Sequence, residues 1–498
     1  MLELRKSILA GLLAAGLAAT APALALADQP IQAGATFITS GVDPARGSNG
    51  WALVSHGIGE KLFMVDAEGR LVPELAETAE RIDDLTWRVA LRAGRHFSDG
   101  SPVTAQALAA GFANTFEHNA TARSTGGMLA FSAADEFTLE VVTERPVAFI
   151  EALFAEWPLI AYTLGDDGEA VFTGPYAVGE FRPDDRIELV ANPHFEGADS
   201  RSDVTLRRFG DAQTMALAFE AGELDLAFGL PSEMAPRLAS QPGLDVKSFT
   251  VAYQYMAILN TERPHLGDVA VRQAIDLAID REQLVAAING GTPATGAFAP
   301  YFPFAPREPL TTDVEAASAL LAEAGWEKGP GNMLEKDGER LSLRVLAYPQ
   351  RPDLVTMLPV VRAQLAALGI EIDTQIVENV SDAAAEGNFD VFLWAQHTAP
   401  SGDPAFYFTS MLRTGGAMNH SRYADPSFDA ILDQMVASGD AELRGELALD
   451  AQEHLFETVP VSYLVSPSWH VGVSERLADY QPWGSDYHVL RADIGEVR

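Results

Sequence analysis

The chain has 498 residues, a formal net charge of −36 at pH 7 and no cysteine. The acidity excludes nucleic acid and anionic membrane surfaces as partners, and the lack of thiols excludes disulfides, thiolate catalysis, cysteine-ligated metals and a lipid anchor on cysteine. A chain of this length needs no staples and suits two or more domains with full cores.

Residues 1–27 read as a cleaved signal peptide. Arg5 and Lys6 precede the apolar run "ILAGLLAAGLAATAPALALA", which ends in an A-x-A site at Ala25-Leu26-Ala27 before Asp28. The expectation is a periplasmic protein that is not a lipoprotein. No later window approaches the ~18 apolar residues of a membrane span. After Asp28, "IQAGATFITSGVDP" reads as a first strand. Leu85, Trp87, Val89 and Leu91 alternate with polar or small residues, the period of a half-buried strand. Asp99-Gly100 then supplies a turn, and a helix opens at Thr104. Strand Thr205–Phe209, helix Ala212–Ala221 and strand Asp225–Phe228 form a βαβ pattern, which implies a parallel sheet.

A second α/β region begins near Asn260. Two amphipathic helices adjoin at Asp280, which caps the second, and Gly290-Gly291 ends it. The Pro/Phe-rich "PATGAFAPYFPFAPREP" reads as an ordered, exposed connection. Thr312-x-x-Glu315 has the spacing of a capping box. Strand Leu341–Tyr348, helix Leu354–Leu368, strand Ile370–Val377 and strand Phe389–Ala395 then make a second doubly wound unit. Ligands of open α/β sheets sit beyond the carboxyl ends of the strands, which points to the loop after Trp394, "QHTAPSGDPAFYF", and to "GLPSE" after Phe228.

The segment "LAETAERIDDLTWRVALRAGRHFSDGSPVTAQAL" resembles the signature of the family 5 extracellular solute-binding proteins, the receptors of peptide, nickel and related ABC importers. "GELDLAFG", "NTERPHLGDVAVRQAIDLAIDREQLV", "ASALLAEAGW", "GDPAFYF" and "YADPSFDAILD" follow in family order. The resemblance implies an α/β, periplasmic-binding-protein-like, two-lobe (class II) fold with an extra subdomain on the first lobe. Lobe 1 would span 28–258, with the subdomain at about 52–175, lobe 2 would span 259–469, and 470–498 would return to lobe 1. "YMAILNT" and "SPSWHV" would be the crossings. It also implies a monomer that binds a small molecule, docks on ABC permease subunits and needs no cofactor.

The ligand stays open at this level between a peptide-like solute and a nickel or other metal chelate. Peptide-binding members carry an acid just upstream of the Asp-Pro pair, where this chain has Pro400. "GFANTF", "LNTERP" and "HTAPSGDP" resemble the nickel-chelate branch, in which His420 would fill the role of the cleft histidine. The region "FAEWPLIAY", where that branch grips a carboxylate, offers Trp157 and no basic residue.

Candidate ligand contacts are Trp394, His397 and Asp403 on the third strand and its loop, with Arg413, Asn419 and His420 beyond it. Trp394 suits stacking, and Arg413 could clamp a carboxylate. Lone histidines without a spaced partner are weak metal signals. Tyr253 and Tyr255 lie on a strand entering the hinge, where one would face the cleft and the other the core; Trp157 completes the set. No catalytic residue is assigned. The chain has no G-x-S-x-G, H-E-x-x-H or G-x-x-x-x-G-K-[ST] motif, so a binding protein is expected, with a dispersed-carboxylate hydrolase as the remaining enzyme class.

Overall fold

The computed structural model of the chain describes residues 29–165 and 167–494; the expected signal peptide lies outside them. Two mixed sheets form the scaffold. The first runs in the order Tyr176–Arg182, Arg186–Ala191, Val204–Arg208, Ile31–Ala35, Leu226–Phe228, Ser468–Ser474 and Leu244–Thr250. Helix Ala212–Glu220, capped by the Asp211 side chain, connects the two strands of the expected βαβ unit. Those strands do not pair with each other, because Ile31–Ala35 lies between them, parallel to both. The helix packs so close to the returning strand that a Cβ on Gly472 would lie 2.5 Å from Phe219 Cε1. Only glycine fits there.

The second sheet has the order Thr292–Pro293, Val461–Ser466, Tyr253–Leu259, Val391–His397, Ser342–Ala347 and Glu371–Ile376. Its last three strands are parallel, and Tyr253–Leu259 runs antiparallel to Val391–His397. The chain therefore leaves the first sheet after Thr250 and enters the second at Tyr253. It returns at Pro467, and the two crossings are joined by the Val251 N–H donating to Pro467 O at 3.0 Å. The expected boundary at 258/259 falls inside a strand of the second sheet. "YMAILNT" is thus central sheet rather than crossing, with Met256 to Leu259 all buried.

Inserted in sequence between two strands of the first sheet, Ile31–Ala35 and Tyr176–Arg182, is a separate antiparallel sheet, Ala76–Arg81, Thr86–Leu91, Thr138–Thr143 and Leu129–Ala133, backed by helix Ala105–His118. Trp87, Val89 and Leu91 point into its core, whereas Leu85 precedes the strand and is exposed. Gly100 adopts φ 85°, as the turn requires. Thr104 caps the helix by accepting from the Ala107 N–H at 3.2 Å.

Two local expectations are corrected. Asp313, not Thr312, caps helix Val314–Glu323, accepting from the Ala316 N–H at 2.8 Å. The Thr312 hydroxyl instead donates to Ile279 O at 2.8 Å. The Pro/Phe-rich segment is not exposed. Phe298, Phe302 and Phe304 are buried in the second lobe's core, with the Phe298 and Phe304 rings 4.7 Å apart. Buried Gln452 satisfies the backbone of that segment, accepting from the Ala297 N–H and donating to Phe304 O, both at 3.0 Å.

Candidate functional site

Strand Val391–His397 ends at the junction of the two sheets, and a cavity of about 570 Å³ opens beside its last residue. One wall comes from the extra subdomain and the C-terminal segment: Thr125, Arg145, Glu156, Trp157 and Tyr487. The other comes from the second sheet and its loop: Tyr253, Gln396, His397, Pro400 and Phe406. Of the residues singled out from sequence, Trp157, Tyr253 and His397 meet on this cavity.

His397 is held between two aromatic rings. The Tyr253 ring stands edge-on at 5.2 Å and the Tyr487 ring lies nearly parallel at 6.0 Å. Burial pushes its imidazole down to about 4, so it is neutral at neutral pH. Among the described residues its buried Nδ1 has no hydrogen-bond partner. Tyr253 also packs against Trp469 at 6.0 Å and lies under the Arg351 guanidinium at 4.8 Å. Tyr255 is buried and donates to Asp353 Oδ2 at 2.8 Å. The two tyrosines share one face of the strand, as positions two apart must. Depth along the strand separates their roles, not opposite faces as expected.

The other candidates serve the scaffold, and none lines the cavity. Asp403 accepts from Arg444 at 3.1 and 2.5 Å, with Arg444 only 5% exposed, and it also caps the Ala405 N–H at 3.1 Å. Arg413 pairs with Asp433. Asn419 is buried and fixes its own loop, donating to Arg413 O at 3.0 Å and Tyr423 O at 2.8 Å. His420 packs against the Trp394 ring at 5.2 Å, and burial lowers its pKa. Trp394 rests on Tyr348 and Phe392 and donates to Gln396 Oε1 at 3.2 Å, so it braces a wall residue from behind. Among the described residues, no group of three or more His, Asp or Glu side chains is gathered as a metal site.

Two charged wall residues escaped the sequence reading. Arg145 is exposed at the cavity and, among the described residues, forms no ion pair or hydrogen bond. Glu156 stands beside Trp157, and burial raises its pKa to about 7 against the opposing pull of the Lys61 ammonium and the Ser401 hydroxyl. Only Glu156 had a nearby sequence signal, the neighbouring Trp157.

Comparison with known proteins agrees with this architecture. The family described as Bacterial extracellular solute-binding proteins, family 5 Middle, matches residues 70–419. The nickel-binding periplasmic protein of Escherichia coli K12 is 26% identical over 441 residues, covering 81% of this chain and 83% of its own length. The periplasmic oligopeptide-binding protein OppA of the same organism is 25% identical over 465 residues, covering 83% of each. The crystal structure of a nickel ABC transporter protein from Bacillus halodurans is 27% identical and superposes with a TM-score of 0.87, covering 94% of this chain and 100% of that one. The family match takes in the extra subdomain, the first crossing and the cavity loop: this chain belongs to the bacterial extracellular solute-binding proteins of family 5.

Proposed function

We propose that the protein is the periplasmic receptor of an ABC importer, capturing a peptide-like solute in the cavity and delivering it unchanged to the permease. It acts as a monomer and closes by hinge motion about the paired crossings at 251–252 and 467. The cavity carries this reading. Its volume of about 570 Å³ suits a small solute, and its walls belong to elements on opposite sides of the crossings. The aromatic rings of Trp157, Tyr253, Phe406 and Tyr487 supply contact area, and a few polar groups supply direction. Among the described residues the His397 Nδ1 has no carboxylate or hydroxyl partner to orient the ring as a general base, which supports binding without turnover.

The likeness to nickel-binding proteins favours a second reading, a metal chelate. In that case His397, on the cavity wall, is the imidazole placed to meet the chelate, and His420 is not.

A thermal-unfolding screen against peptides, opines and metal chelates tests both. A true ligand at a hundredfold excess over Kd raises stability by about 2.7 kcal/mol. A library that leaves the transition unmoved contradicts the receptor reading.

A further inference from the structure

Glu156 is the cavity's unspent charge. It sits between helix Ile150–Leu153 and the turn Trp157–Leu159, and its half-buried carboxyl lines the cavity. The neutral hydroxyl of Ser401, on the loop that follows strand Val391–His397, is the nearby group that eases its ionisation without bringing a charge. Among the described residues it forms no ion pair. Lys61 is the neighbouring cation and pulls the Glu156 pKa down, but among the described residues the two form no ion pair: Lys61 Nζ donates to Ala155 O at 2.6 Å and does not line the cavity.

The other groups around Glu156 do not neutralise it. Asp403 is an acid whose charge is matched by Arg444. The Tyr487 phenol is held well above its ordinary range and stays neutral, as does His397 at neutral pH. Arg145 shares the wall but does not touch the carboxyl. Burying a carboxylate with no cation in direct contact is costly. Such a group keeps part of its proton at neutral pH, and a cation brought into contact with it favours the charged form.

We propose that Glu156 is the specificity-determining acceptor for a ligand's ammonium group, which enters between Glu156 and the Ser401 loop. This rests on the peptide-like reading above and names the chemistry that the cavity selects. At and below pH 7 binding then displaces a proton. Because the empty-site carboxyl titrates at about 7 and the ammonium-bound one lower, affinity is highest between about pH 7 and the ligand's own ammonium pKa of about 8, and falls about tenfold per pH unit below pH 7.

The test is calorimetric titration of wild type and Glu156→Gln with di- to pentaalanine and with their N-acetylated forms, at about pH 7.5, where the peptide ammonium is largely intact, and at about pH 5.5. At the higher pH, acetylation of the peptide and Glu156→Gln each weaken binding about 10- to 150-fold, and together they cost little more than either alone. Acid weakens wild-type binding and leaves Glu156→Gln nearly flat. His397 and Asp486, the latter raised to about 6, titrate alike in both proteins and cancel in the comparison. Acetylated peptides that bind wild type as tightly as free ones overturn the proposal while leaving the receptor reading intact. So does a Glu156→Gln variant with wild-type affinity and pH slope. If no alanine peptide binds wild type at either pH, the peptide-like reading fails and this proposal fails with it.

Discussion

Arg444→Ala lowers the stability of the protein by about 3–5 kcal/mol, the cost of leaving one partner of a buried ion pair alone. The guanidinium is 5% exposed and grips both oxygens of Asp403, whose own side chain is 14% exposed. It also donates to Met435 O at 2.5 Å and Ser438 O at 2.9 Å, and lies 5.0 Å from the Phe149 ring of the extra subdomain. Removing it strands a carboxylate, two carbonyls and an aromatic face together. Asp403→Ala is damaging for the same reason, so its effect is on folding rather than on ligand contact. Urea unfolding measures both. A double replacement of the pair by apolar residues recovers much of the loss, since no charge is then left buried. A midpoint unchanged in Arg444→Ala contradicts the pairing.

Phe298→Ala costs about 3–5 kcal/mol for a different reason, the cavity left when a fully buried ring is removed. Phe298 has no exposed surface and meets Phe302, Phe304, Tyr407 and Phe408 edge-on at 4.7 to 6.4 Å. These rings are fixed by separate segments, so the site cannot collapse to fill the void. Phe298→Leu retains much of the volume and loses less. The same unfolding series checks the order: wild type above leucine above alanine. An alanine variant as stable as wild type would return this segment to the exposed connection that its prolines suggest.

What was legible in the sequence was local. The alternation from Trp87 to Leu91, the Thr104 cap and the Asp280 cap each depend on a few neighbouring residues and stand as read, while Leu85, the first residue of the expected alternation, falls outside the strand. At Thr312-Asp313 two cap-competent residues adjoin, and spacing alone could not tell which one the backbone would present. Phe298 was misread because proline density signals a connection, whereas burial of its aromatic rings depends on helices far along the chain. Asp403 stands on the loop where geometry places ligand, but Arg444, on helix Ala441–Thr458, claims it.

The site itself divides along the same line. His397 could be found because the end of a parallel strand is a rule of topology. The approach of Ser401 to Glu156 could not, because it brings the second sheet's loop to the extra subdomain. Pro400 marks the loop position where peptide-binding relatives were expected to keep an acid. Here the carboxyl on the cavity comes from the facing wall.

On the proposed function, this cavity captures one small solute and releases it unaltered. The most direct measurement is mass spectrometry, with metal analysis, of what the protein yields on denaturation after purification from its native host. The account predicts one molecule per chain, an amine-bearing, peptide-like solute that rebinds to emptied protein and is recovered intact after incubation. A released sugar, or a rebound solute returned as cleavage products, would contradict it.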